Sequence, residues 1–68
     1  MKPSDTGIIR AIRDLTAELG YPPTFRQTGT RVGLLSSSSI QRRLYQMKAR
    51  GLVEFEEGKS RTLRVVES

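Results

Sequence analysis

Apolar residues Ile8, Ile9, Ala11, Ile12, Leu15 and Leu19 recur close to helical spacing and leave Arg10, Arg13, Asp14 and Glu18 on the opposite side. The pattern predicts a first helix over about residues 4–19, capped by Ser4 or Asp5 and stopped by Gly20. Tyr21-Pro22-Pro23-Thr24 then reads as a short extended link, because proline biases the residue before it away from helix. Thr24 is the next N-cap, and a second helix follows over about residues 25–32. It buries Phe25, Thr28 or Gly29, and Val32, although Thr28-Gly29-Thr30 has poor helix propensity. Gly33 tolerates positive φ, so Gly33-Leu34-Leu35 reads as a tight turn with one or both leucines anchored inward.

Ile40, Leu44 and Met47 share one helical face and predict a third helix over about residues 37–50, started by Ser36 and ended by Gly51. A four-serine run such as Ser36 to Ser39 is a flexible loop in isolation; the apolar stripe behind it makes it a helix start here. At about 100° per residue, the side opposite the stripe presents Ser38, Arg42 and Tyr45, flanked by Ser39 and Gln41. Leu52 to Glu56 and Thr62 to Val66 are β-rich runs separated by Glu57-Gly58-Lys59-Ser60-Arg61, which predicts a hairpin over about residues 52–66. Val53 and Phe55 alternate with Glu54 and Glu56, so one face of the hairpin packs on the helices and one is wet. Three helices and a two-stranded antiparallel wing give a mainly α fold with a small β-hairpin, a winged helix-turn-helix, occupying residues 1–68 as one domain.

Composition narrows the chemistry. At 68 residues and 35% apolar, the chain supports one domain with a thin core. Neither cysteine nor histidine occurs, which removes disulfides, thiolate metal sites and the commonest general base. An enzyme is therefore not expected, and neither is a cofactor or a small-molecule ligand. A serine from Ser36 to Ser39 activated by Lys48 fails on distance, since helical spacing sets Lys48 about three turns away. No apolar run reaches the roughly 18 residues of a membrane helix and no secretory segment is present, so the expected location is cytoplasmic and nucleoid-associated. The charge adds a partner: 12 Lys plus Arg stand against 7 Asp plus Glu, a net +5 that attracts polyanions. Between Phe25 and Arg50 lie Arg26, Arg31, Arg42, Arg43, Lys48 and Arg50 without one acidic residue, whereas Asp5, Asp14 and Glu18 fall in the first helix. Double-stranded DNA is the partner this arrangement favours. Structured RNA fits less well, because Tyr21, Phe25, Tyr45 and Phe55 are the aromatics and some are needed for packing. A winged-helix adaptor that binds another protein is the competing reading, since fold alone does not set function.

Gly20-Tyr21-Pro22-Pro23-Thr24, Arg31-Val32-Gly33-Leu34, Ser36, Leu44, Arg50-Gly51-Leu52-Val53, Gly58, Ser60-Arg61 and Leu63-Arg64-Val65 together carry a resemblance. From about Ile8 to Val66 the chain resembles, without gaps, the amino-terminal DNA-binding domain of the LexA repressor family. The resemblance implies a transcriptional repressor, stand-alone or the DNA-binding fragment of a longer protein. Three features differ from the family's usual pattern. Gln27-Thr28-Gly29 replaces Glu-Ile-Ala, which implies altered packing in the second helix. Gln41 and Arg42 replace an acidic pair, and serines replace Pro-Asn-Ala before them, which implies a different base preference. Members of the family also continue into a self-cleaving peptidase with a serine-lysine pair that makes the dimer; the expectation for these residues is confined to DNA binding.

The expected interface follows from both lines. Matching family positions place Ser36, Ser38, Ser39, Gln41 and Arg42 towards the bases, and the helical wheel independently selects Ser38, Gln41 and Arg42. In the major groove, Arg42 suits guanine O6 and N7, and Gln41 suits adenine N6 and N7. Tyr45 either reaches a phosphate or covers the helix exterior, and Arg43 bonds a phosphate or a backbone carbonyl. The start of the second helix, Thr24 to Gln27, offers N–H groups and a positive dipole end to a phosphate, with Arg26 and Gln27 adding side chains. Lys59 and Arg61 at the wing tip touch the sugar-phosphate rail or the minor groove, or else simply keep the turn soluble. One module makes few base contacts, so a weak or DNA-assisted homodimer on paired half-sites is expected.

Overall fold

Local capping chemistry marks where each helix begins and ends. The computed structural model describes residues 4–59 and 61–66; Ser60, part of the expected wing turn, lies outside the described residues. Helix α1 spans Asp5–Leu19, α2 spans Phe25–Val32 and α3 spans Ser37–Ala49, followed by strands β1 (Val53–Glu54) and β2 (Arg64–Val65). Of the two candidate caps for α1, Ser4 is the one used: its Oγ accepts the Gly7 N–H at 3.1 Å. Thr24 and Gln27 close a reciprocal capping box on α2, with Gln27 N–H donating to Thr24 Oγ1 and Thr24 N–H donating to Gln27 Oε1. Gly20 and Gly33 take left-handed φ of 80° and 85°, which lets the chain leave α1 and α2 sharply.

Ser36 occupies the cap position of α3 but makes no side-chain capping bond, so it begins the helix by position and not by the hydroxyl bond that serine's preference for that site implies. The helix ends one residue earlier than its apolar stripe suggested: Arg50 is the C-cap and Gly51 follows at φ 77°.

The core lies where all five elements meet. Ile8 and Ile12 of α1, Ile40, Leu44 and Met47 of α3, and Val53, Phe55 and Leu63 of the wing form one buried cluster. Phe25, Val32 and Leu34 pack against its margin, so Phe25 and Val32 are half-buried and not interior as α2's pattern suggested. The interior of α2 is made by Thr28 and Gly29 together, the two residues between which its pattern left the choice open. Thr28 is fully buried and its hydroxyl donates to Thr24 O at 3.0 Å, which removes the penalty of an unpaired polar group. Gly29 is needed for close approach. A Cβ there would stand 2.8 Å from the Leu34 carbonyl oxygen and 3.1 Å from Ile40.

The wing is shorter than the two β-rich runs implied. Its antiparallel ladder is confined to the pairs Val53 with Val65 and Glu54 with Arg64. At its open end Val66 N–H donates to Leu52 O at 3.0 Å; towards the tip side-chain bonds replace ladder bonds, with Glu56 N–H donating to Thr62 Oγ1 at 2.9 Å and the Thr62 hydroxyl donating to Lys59 O at 3.2 Å. Phe55 and Leu63, just beyond the ladder, join Val53 in the core.

Candidate nucleic-acid interface

The apolar stripe of α3 is sealed against the core, with Ile40 and Leu44 wholly inaccessible. Every residue that the helical wheel set opposite it is exposed: Ser38, Ser39, Gln41, Arg42 and Tyr45. Ser36 is exposed as well. Gln46, one turn beyond Arg42, joins the same strip and was not among the expected contacts; its i+4 spacing from Arg42 was the available signal. Ser38, Ser39, Arg42, Arg43, Gln46 and Arg50 line a surface concavity together with Asp5 and Leu34.

Charge pairing sorts the basic residues. Asp5 binds two arginines of α3 and its cap, with Oδ1 at 2.8 Å from Arg43 and Oδ2 at 2.9 Å from Arg50. In the free protein Arg43 is thus held by a carboxylate, where its place at the core edge suggested a phosphate or a backbone carbonyl. The cause is tertiary: the first turn of α1 lies beside α3. Arg31 of α2 is likewise claimed by Glu18 of α1 through both guanidinium nitrogens. That bond holds the Glu18 carboxyl below its ordinary value and raises Arg31. Arg26 and Arg42, by contrast, have no carboxylate partner among the described residues, and both are exposed. The acidic residues of the first helix therefore neutralise Arg31, Arg43 and Arg50 at its contacts and leave Arg26 and Arg42 open on α2 and α3.

At the start of α2, the capping box commits the N–H groups of Thr24 and Gln27 to each other's side chains. The N–H groups of Phe25 and Arg26, in the first helical turn, have no intrahelical acceptor. The phosphate-accepting capacity of this terminus is thus narrower than four free amides, and Arg26 is its open side chain. Gln27 keeps its Nε2 donors, since the box uses only Oε1.

An aromatic cluster ties α3 to the wing. Phe55 is met edge-on by Phe25 at 4.8 Å and by Tyr45 at 5.1 Å between ring centroids, and Lys48 Nζ lies 4.5 Å from the Phe55 centroid while donating to Phe55 O at 2.9 Å. Tyr45 therefore covers the helix exterior with its ring, and Lys48 is an intramolecular strut. In the wing, Lys59 pairs with Glu56 at 3.5 Å. Arg61 has φ 63° and stacks its guanidinium 4.6 Å from the Tyr21 ring centroid, so a residue of the α1–α2 link positions the wing arginine.

A helix pair joined by a left-handed glycine, with a polar second helix exposed beside a two-stranded wing, defines the protein as a winged helix-turn-helix domain. The LexA DNA binding domain family matches residues 3–62, and the chain belongs to that family. It is 43% identical over 58 residues to the LexA repressor of Lacticaseibacillus casei, covering 85% of this chain and 28% of that protein. The LexA repressor of Desulfitobacterium hafniense is 33% identical over 63 residues, covering 93% of this chain and 31% of its own length. A third relative, LexA repressor 1 of Nocardia farcinica, is 43% identical over 58 residues, covering 85% and 27%. The chain thus spans less than a third of the length of these curated relatives.

Proposed function

We propose that the chain binds double-stranded DNA at specific sequences and represses transcription by occupying an operator, with α3 in the major groove. The observation that carries this reading is the exposed strip Ser38, Ser39, Gln41 and Arg42 opposite a fully buried stripe, on a helix whose Arg42 has no carboxylate partner among the described residues. Polar side chains on one helix face read base edges, and bidentate pairing of Arg42 with guanine and of Gln41 with adenine each contributes about 1–3 kcal/mol of discrimination. Ser36, at the uncapped start of α3, and Ser38 and Ser39 line the same approach. Arg26 and the free first-turn amides of α2 hold a phosphate, assisted by Thr24 and Gln27; Arg61 and Lys59 follow the backbone from the wing. Arg43 and the Tyr45 hydroxyl contribute at the edge, Arg43 by exchanging Asp5 for a phosphate.

The role is regulatory and not catalytic, exercised in the cytoplasm at the nucleoid. Two copies bind paired half-sites through a weak or DNA-assisted dimer, because the apolar stripes are consumed by the core. Selection from random duplexes at near-physiological salt tests the reading, with Gln41→Ala and Arg42→Ala beside the parent. The expected result is an enriched motif whose preference changes at a different base pair in each variant. Absence of any motif, with weak binding to all sequences, overturns it in favour of a protein-binding adaptor.

A further inference from the structure

The turn between α2 and α3 treats its two leucines oppositely. Leu34 packs against the core, and its N–H donates to Gly29 O at 2.8 Å. Leu35 is 89% exposed, by far the most exposed of the large apolar residues described. Leu34 is thus anchored inward while its neighbour Leu35 is turned out. The side it reaches is not an arbitrary one. Leu35 immediately precedes Ser36 and shares a surface concavity with Arg26 and Thr30 of α2 and Ser37 of α3, between the unpaired arginine at the start of one helix and the polar start of the other.

We infer that Leu35 is a further specificity-determining residue, contacting the C5-methyl group of a thymine at the edge of the sequence that α3 reads. The inference rests on the reading of α3 as the base-contacting helix. Thymine is the base that presents an apolar group in the major groove, and apolar side chains recognise it there. A leucine that stays in water in the free protein gains from being covered by such a group, so the contact favours thymine over cytosine in the bound state. Arg26 on the neighbouring phosphate and Ser36 beside the bases would set the position of that thymine, next to the outermost base pair the serines touch.

The test uses the operator selected by the parent protein. Each thymine is replaced in turn by deoxyuridine, which deletes the methyl group and leaves the hydrogen-bonding edge unchanged, and binding is measured for the parent and for Leu35→Ala. Circular dichroism confirms that the variant, altered at an exposed position, is folded. At one thymine per half-site the parent weakens about fourfold on methyl deletion, the factor that burial of a single methyl group corresponds to, while Leu35→Ala is indifferent to the same replacement. If every deoxyuridine substitution affects parent and variant equally, the assignment of Leu35 is wrong while the role of α3 stands. If the parent enriches no sequence at all, the reading of α3 fails and takes this inference with it.

Discussion

Gly29 shows how a single residue can reverse an expectation drawn from propensity. In a helix interior, glycine costs about 1 kcal/mol relative to alanine, which makes Gly29→Ala look like a stabilising change in an eight-residue helix. The Leu34 carbonyl stands 2.8 Å from where the new Cβ would be, and a backbone oxygen cannot swing aside as a side-chain tip can. Overpacking of this kind costs about 1–3 kcal/mol. Set against the propensity gain, the variant is expected to be less stable than the parent by up to about 2 kcal/mol in urea denaturation; a gain in stability would show that the turn moves freely. The leucines beside it illustrate what residue type alone hides. Both are equally apolar, yet Leu34, whose N–H is tied to Gly29 O, packs on the core and Leu35 does not, a difference that no periodicity reports. Arg43 was similarly illegible, because its partner Asp5 lies 38 positions away. The polar strip of α3 was legible, since helical phase follows directly from the Ile40, Leu44 and Met47 stripe.

Among the elements, the helices were readable because glycine, proline and hydroxyl residues punctuate them with local chemistry. The strands were less so, because the Thr62 hydroxyl takes the Glu56 N–H and donates to the Lys59 carbonyl outside the ladder. The attachment of α1 to α2 through Glu18 and Arg31 carries a pH signature. The Arg31 hydrogen bond depresses the Glu18 carboxyl in the folded state, so the pair's contribution is fully present above the ordinary value of 4.5 and is lost as the pH falls through the depressed one. Glu18→Gln is therefore expected to melt at slightly lower temperature than the parent at neutral pH, with the difference closing in acid. The pair is exposed, so the effect is small and shrinks in high salt. Thermal melts of both proteins between pH 7 and pH 3 measure it, and a difference that widens in acid contradicts the assignment.

For the whole molecule, the distribution of ion pairs matters more than the net charge of +5. Asp5 and Glu18 neutralise arginines where α1 meets its neighbours, leaving Arg26 and Arg42 as the open arginines of α2 and α3. Contact with about four to six phosphates gives log K against log salt a slope of roughly −4 to −5. Arg26→Ala is expected to flatten that slope by about one unit, whereas Arg31→Ala, already paired with Glu18, leaves it nearly unchanged; equal effects from both would mean that total charge and not its placement governs binding. The measurement that reaches the central claim most directly is a titration of the isotopically labelled protein with its selected duplex, followed by amide chemical shifts. Binding through α3 predicts shifts concentrated in residues 24–27 and 35–46 and at Lys59 and Arg61, with the outer face of α1 around Arg13, Asp14 and Ala17 unmoved. Shifts centred on that face of α1, with residues 36–42 silent, would contradict the account.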